Sequence, residues 1–338
     1  MVVSEMLWIL WETMKVNIFV EDFLNLKYLG CGTAAKTLYR QLSNMPDMDV
    51  SWNSKGRDFD IVHYHTFGPV SLLSRQYSKG IKILTAHVTP RLNEGGLAFS
   101  KYISGYYPYS YRKFDHIITL VDGSRSEVRE IAPFVPTTTI PNGVDRNYFN
   151  RDEGKRKSFR DRYKISENEK VVLAVGQQTP RKGVYDFLEL AKRYPEIHWV
   201  WVGGFPAGLF SKDRFKIEKM KQNCANNVIF TGFIPDIAQA YNGADVFLMP
   251  SYSEILVLVI LEALSCGLPV VARDIPEFTG IFGGAAQFFN NIKEAGELIA
   301  DDSKLKHYSN GSREFTEQYD IIKVAAMHCD LYRKLIES

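Results

Sequence analysis

The stretch VVLAVGQQTPRKGVYDFLELAKRYPEIHWVWVG, residues 171–203, holds a whole supersecondary unit. It opens on an unbroken apolar run, 171–176, of the kind found in strands covered on both faces. A polar loop carrying Arg181 and Lys182 follows, then a helical pattern over 184–194 and a second apolar run over 197–203. Strand, helix and strand in this order predict a parallel sheet with helices on both faces.

The same alternation extends in both directions. Toward the C-terminus, 228–234, 245–250 and 269–274 read as strands, and 259–267 as a helix closed by Gly267. Toward the N-terminus, strands are expected at 16–20, 60–65, 81–88 and 114–121, with a loop opening a helix at 28–42, helical SRSEVREIA after 121, and TTTIPNGVD (137–145) closing the first half. The charged stretch 151–170 interrupts the series, and the final REFTEQYDIIKVAAMHCDLYRKLIES reads as helical throughout. The expectation is an α/β chain of two doubly wound parallel-sheet domains facing across a cleft. In such sheets ligands sit beyond the carboxyl ends of the strands.

Bulk properties narrow the function. The 338 residues are 45% hydrophobic and 24% charged, which suits a globular chain of about two domains. A net charge of +2 argues against a surface built to grip nucleic acid. The four cysteines, Cys31, Cys224, Cys266 and Cys329, form no C-x-x-C pair, so a reducing cytosol is expected, without zinc or a disulfide framework. The first twenty residues lack a basic leader and are broken by Glu5 and Glu12, unlike a signal peptide. Met14, before the strand-like KVNIFVED, is an expected alternative start. No apolar run approaches the ~20 residues that span a bilayer.

Several residues stand where chemistry would gather. In PSYSEILVLVILEALSCGLPVVA (250–272), Glu254 and Glu262 flank seven apolar residues where a strand gives way to a helix. A helix N-terminus there would offer free N–H groups to a phosphate. Eight residues of helix rise cover about 12 Å, near the length of a sugar–diphosphate–ribose unit. One carboxylate would then face sugar hydroxyls and the other the ribose. The ordinary reading is a helix-start acid and a paired buried acid. Arg181 and Lys182 suit a diphosphate leaving group, or form a plain exposed basic pair. His87, at the end of a strand, would bond a sugar hydroxyl, or simply cap the strand. His63 and His65 raise the same choice. GCGTAA (30–35) matches a dinucleotide fingerprint, but its first glycine comes about ten residues after the strand. Gly30 and Gly32 are read instead as a loop that approaches a ligand closely. Residues 71–82 and 101–115 interleave basic side chains with Leu, Ile and Tyr, which suits either a membrane surface or a packed amphipathic helix.

Taken together, S-Y-S-E-x(7)-E-A-L-x-x-G-L-P-V-V, G-x-x-x-x-R-K-G, IPNGVD and YNGADVFLMPS resemble the retaining GT-B glycosyltransferases of family 4, over residues 15 to 335. DIVHYHTFGP, RKGVYDFLELAKRYPEIHWVWVG and VVARDIPEF look like the diacylglycerol glucosyltransferases within it. The resemblance implies a GT-B fold of three parts: an acceptor- and membrane-facing domain over 14–148, a nucleotide-sugar domain over 149–315, and a helix over 316–338 returning to the first domain. It implies a hexose moved from a UDP-sugar, best UDP-glucose, to a lipid acceptor such as a diacylglycerol, by a front-face mechanism. His87, Glu254, Arg181 and Lys182 would be catalytic. Gly30, Gly32, Gly176, Arg181, Lys182, Glu254, Ile255, Leu256, Val257, Leu258 and Glu262 would line the donor site. No cofactor is expected, and no D-x-D motif points to a required metal. The protein would sit in the cytoplasm, peripheral at the inner face of the cell membrane, with an anionic surface as partner and no nucleic acid.

Two features depart from the family pattern. Ile255 and Val257 stand where glycines are usual, so either the loop holds phosphate differently or donor binding is weaker. Gln177 stands where some relatives carry arginine. Three alternatives remain: the same fold acting on a soluble, polyprenyl-linked or protein acceptor, a non-catalytic nucleotide-sugar binder, and an oxidoreductase using GCGTAA.

Overall fold

A computed structural model describes residues 13–21, 30–90, 105–205, 211, 213–255 and 257–338. Two six-stranded sheets dominate. The first contains β1 (Met14–Phe19), β2 (Met48–Trp52), β3 (Ile61–Tyr64), β4 (Ile81–Ala86), β5 (His116–Thr119) and β6 (Thr137–Thr139). The second contains β7 (Val171–Val175), β8 (His198–Val202), β9 (Val228–Gly232), β10 (Val246–Met249), β11 (Val270–Arg273) and β12 (Ala286–Phe289). The orders are β2-β1-β3-β4-β5-β6 and β12-β11-β10-β7-β8-β9, with every strand pair parallel.

Strand order fixes where a site can open. Each order reverses once, between β1 and β3 in the first sheet and between β7 and β10 in the second. At such a point the flanking connections leave on opposite faces and a crevice opens beyond the strand ends. The loops after β7 and β10 carry Arg181–Lys182 and Glu254.

Period-two alternation builds the cores. In the second sheet, Val171, Leu173, Val200, Phe247 and Val270 face one core. Val172, Ala174, Trp199, Trp201, Val246, Leu248 and Val271 face the other. The first sheet divides the same way, Val16, Ile18, Ile61 and Ile83 against Val62, Tyr64, Leu84 and Ile117. Val324, Ala325, Cys329, Leu331 and Tyr332 of the last helix complete the first of those two clusters. The C-terminal helix thus returns to the N-terminal sheet.

Several expectations need correction. β2 and β12, both edge strands, were not anticipated. Within 137–145, Thr137–Thr139 forms the sixth strand, after which IPNGVD becomes the crossing to the second sheet. The final stretch is not one helix. A 3₁₀ turn (Thr316–Tyr319) ends at Asp320, whose carboxylate accepts from Ile322 N–H and starts the helix Ile321–Ile336. The two crossings meet there. Val144 N–H donates to Tyr319 O (2.8 Å) and Ile321 N–H to Val144 O (3.0 Å). A Cβ on Gly143 would lie 2.9 Å from Ile321 Cα, so only glycine lets these backbones close. Among the described residues no helix is long and apolar enough to cross a membrane.

Candidate active site

The site builds from two loops pressed together at the reversal of the second sheet. Pro180–Lys182 forms a 3₁₀ turn after β7, and Gly183 follows at φ 78°. A Cβ on Gly183 would stand 2.3 Å from Pro250 O, so this glycine lets the turn rest against the end of β10. Tyr252 N–H donates to Arg181 O at 2.9 Å. Arg273, at the end of β11, adds a clamp. Its Nε donates to Pro250 O (3.1 Å), it pairs with Asp186, and its guanidinium lies 3.9 Å from the Tyr252 ring centroid. The Tyr252 hydroxyl donates to the same Asp186 carboxylate at 2.7 Å.

These contacts place two cations on one carboxylate. Lys182 Nζ lies 2.5 Å and Arg181 Nη1 3.3 Å from Glu254 Oε1, and Arg181 Nη1 also donates to Ser253 O at 2.6 Å. Glu254 is 8% exposed. Burial alone would raise its pKa, but Lys182 and Arg181 more than reverse this and hold it below the ordinary carboxylate value. Burial draws Lys182 down, opposed by Glu254 and aided by Arg181. Gly176, at φ 156°, lies beside the Lys182 stem, where a Cβ would sit 3.7 Å away.

The structure changes the reading of the glutamate pair. The helix after β10 is short, Leu258–Ser265, and Glu254 lies in the loop before it. Eight residues of helical rise do not separate the carboxylates. Only the last four steps are helical, about 6 Å. Val257 occupies the N-cap position with no side-chain cap, and its carbonyl takes the Ile260 N–H at 3.3 Å, so the positive end of the helix dipole lies just after the Glu254 loop. Its φ of −96° and ψ of 109° are ordinary extended backbone. Ile255, Val257 and Leu258 are at most 9% exposed, and the first two belong to the core. The departure from glycine therefore costs no backbone strain here. Leu256 lies outside the described residues.

Glu262 is not gathered with the cations. Its Oε2 accepts from the Tyr241 hydroxyl at 2.6 Å, and the residue is buried. Burial raises its pKa to about 7, with the Tyr241 hydrogen bond opposing. It is a buried acid hydrogen-bonded to Tyr241, apart from the cation pair.

The first sheet holds the remaining candidates. His87, half-buried past the end of β4, is hydrogen-bonded to His65, Nε2 to Nδ1 at 2.9 Å. Burial, then the neighbouring His328, lowers its pKa to about 3. Gly30 and Gly32 do not form a loop, because the helix Gly30–Ser43 begins at Gly30. A Cβ on Gly30 would meet nothing within 4 Å, so the fold does not require glycine there. Gly183, Asp186, Tyr252 and Arg273 were not singled out from sequence. Gly183 had a signal, its place in R-K-G, whereas the Asp186–Arg273 pairing depends on strand order.

Family comparison accords with this geometry. The model for glycosyl transferases group 1 matches residues 155–312, and that for glycosyltransferase family 4 matches residues 34–148. The chain belongs to the family 4, group 1 glycosyltransferases. It is 29% identical over 293 residues to the alpha-galactosylglucosyldiacylglycerol synthase of Streptococcus pneumoniae, covering 81% of this chain and 77% of that one. It is 27% identical over 276 residues to the processive diacylglycerol alpha-glucosyltransferase of Acholeplasma laidlawii, covering 78% and 80%. The fold of this glycosyltransferase matches HepE of Anabaena, solved with UDP-glucose, at a TM-score of 0.78 and 16% identity over 95% of this chain and 100% of HepE. The GT-B expectation for the fold holds.

Proposed function

We propose that this glycosyltransferase moves a hexose, best glucose, from a UDP-sugar to a diacylglycerol-type lipid with retention at the anomeric carbon. The observation that carries the reading is the Arg181–Lys182–Glu254 cluster, built from the loops after β7 and β10 at the reversal of the second sheet, with Glu254 in the loop that leads into a helix without a side-chain cap. Glu254 offsets one of the two cationic charges and leaves the other for an incoming anion. A diphosphate would take over those charges and free the carboxylate for the sugar hydroxyls. The acceptor oxygen would attack on the face the diphosphate leaves, passing its proton to the departing phosphate. Arg181, Lys182 and the helix start would carry the leaving-group charge, so transfer is expected to persist in a chelator.

The lipid acceptor rests on the two glycolipid-synthesising relatives and on one surface. Val70, Leu73 and Tyr77 lie along one side of the helix Pro69–Tyr77, and each is more than half exposed. Tyr109 is 59% exposed, with Lys113 Nζ 5.0 Å from its ring centroid. The cations of these segments do not act as a free set: Lys79 pairs with Asp58 and Arg112 donates to Ile131 O. The apolar stripe, more than the charges, would enter a bilayer. We place the protein peripherally at the inner face of the cell membrane. The test is transfer from a panel of labelled nucleotide sugars to diacylglycerol vesicles and to soluble acceptors, with and without chelator. Transfer only to soluble acceptors would remove the lipid.

A further inference from the structure

Four of the seven histidines, His63, His65, His87 and His328, cluster where the C-terminal helix meets the first sheet. Each ring leans on the next. The His63 and His65 centroids are 4.3 Å apart, those of His65 and His87 5.1 Å, and those of His63 and His328 5.5 Å. His63 is fixed at both nitrogens, Nδ1 2.6 Å from the Tyr332 hydroxyl and Nε2 2.6 Å from Thr85 Oγ1. His328 Nδ1 meets Val324 O at 2.9 Å. All four pKa values are lowered, by burial first, so all four rings are neutral near pH 7.

A neutral ring has one N–H, and the hydrogen bonds decide where it sits. His65 Nδ1 and His87 Nε2 are 2.9 Å apart, so one donates and the other accepts. His65 Nε2 is buried and has no partner among the described residues. If His87 Nε2–H donated, the His65 proton would be stranded on that Nε2. A buried N–H without an acceptor is rarer than a buried lone pair without a donor. The economical arrangement has His65 Nδ1–H donating to His87 Nε2, which leaves the His87 proton on Nδ1.

We propose that His65 is a positioning residue that holds His87 as its Nδ1–H tautomer, so that His87 presents a donor, not an acceptor, to an oxygen of the bound substrate. His63, wedged by Tyr332 and Thr85, supports the plane of His65, so the returning C-terminal helix takes part in setting that tautomer. The catalytic half of the proposal rests on the reading that His87 faces the donor sugar. The tautomer itself does not.

The test is a two-bond ¹H–¹⁵N correlation of imidazole-labelled full-length protein, with His87→Ala assigning the resonance. The expected pattern for His87 is a protonated Nδ1 and an unprotonated Nε2. His65→Asn keeps a donor near the Nδ1 position and should keep both the pattern and kcat/KM. His65→Leu removes the donor, and the His87 proton should redistribute, with kcat/KM for nucleotide sugar falling about tenfold. Wild-type His87 protonated on Nε2 overturns the proposal whatever the activities, and needs no variant of His65 to fold. The expected tautomer, in a protein whose activity ignores His87→Ala, leaves the tautomer assignment standing and refutes the placement of His87 at the sugar.

Discussion

Glu254→Gln tests the charge arrangement most sharply, because it removes one charge and almost no volume. The carboxylate holds Lys182 and Arg181 at 2.5 and 3.3 Å, with side chains only 14% and 26% exposed. Breaking a buried pair by neutralising one partner costs about 3–5 kcal/mol, and the partial exposure of Arg181 brings the expectation to about 2–3 kcal/mol. For a domain of this size that is a fall in Tm of roughly 4–12 °C. Adding UDP should reverse much of it, since a diphosphate restores the missing negative charge. The UDP-induced rise in Tm should therefore be larger in the variant than in the wild type. Turnover should move the other way, down about a hundredfold, because the sugar loses its partner. The assay is a thermal-shift titration with UDP beside initial-rate kinetics. A variant with wild-type Tm and an unchanged UDP shift would show that Glu254 does not offset the charge of these cations.

Arg273→Ala should raise the donor KM severalfold and cost about 3 kcal/mol of stability, because Asp186 is left largely buried and without its cation. Lys at 273 should recover only part of this, since it cannot reach Pro250 O and Asp186 as a fork. Acid should unfold the protein early. The four histidines have folded pKa values below the unfolded 6.5, so stability falls as pH drops below 6.5, by about 1.4 kcal/mol per pH unit for each extra proton the unfolded chain takes up. Glu262 works the other way. Its folded pKa is raised from 4.5 to about 7, so its contribution is present below 4.5 and lost as pH rises to about 7. Tm scans from pH 4 to 8 should show His328→Phe flattening the acid loss and Glu262→Gln steepening it. Changing Val70, Leu73 and Tyr77 together to Ser should leave Tm nearly unchanged yet weaken vesicle cosedimentation at least about tenfold, at low and high salt alike. Full retention on vesicles would move the contact elsewhere.

The alternation of strands and helices was legible because buried parallel strands are short apolar runs with no competing pattern. β2 and β12 were missed for the converse reason. MDVSW mixes Asp49 and Ser51 into an edge strand, and AQFF is four residues long at the other sheet's edge. The helix break at Asp320 carries neither Pro nor Gly, only a carboxylate that caps the helix Ile321–Ile336. Arg181, Lys182 and Glu254 could each be named from sequence, but their contact spans more than seventy residues and needs β7 beside β10. The Arg273–Asp186 clamp and the His65–His87 pair are out of reach for the same reason: one joins the end of β11 to the helix after β7, the other the residues just past β3 and β4. Glu262 shows the limit most plainly. Its spacing from Glu254 suggested two carboxylates spaced along one helix, one for the sugar and one for the ribose, whereas the fold makes one an ion pair in a loop and the other a buried acid on Tyr241.

The central claim is retaining transfer of a hexose from a UDP-sugar to a membrane lipid by the Arg181–Lys182–Glu254 site. It is tested most directly by incubating wild-type protein and Lys182→Ala with UDP-glucose and diacylglycerol vesicles, then reading the anomeric configuration of the lipid product by NMR. The account predicts an α-linked glucosyl lipid from the wild type and a loss of at least about tenfold in kcat/KM for UDP-glucose in the variant, the cost of one charged hydrogen-bond partner. A β-linked product, or a folded Lys182→Ala as active as the wild type, would contradict it.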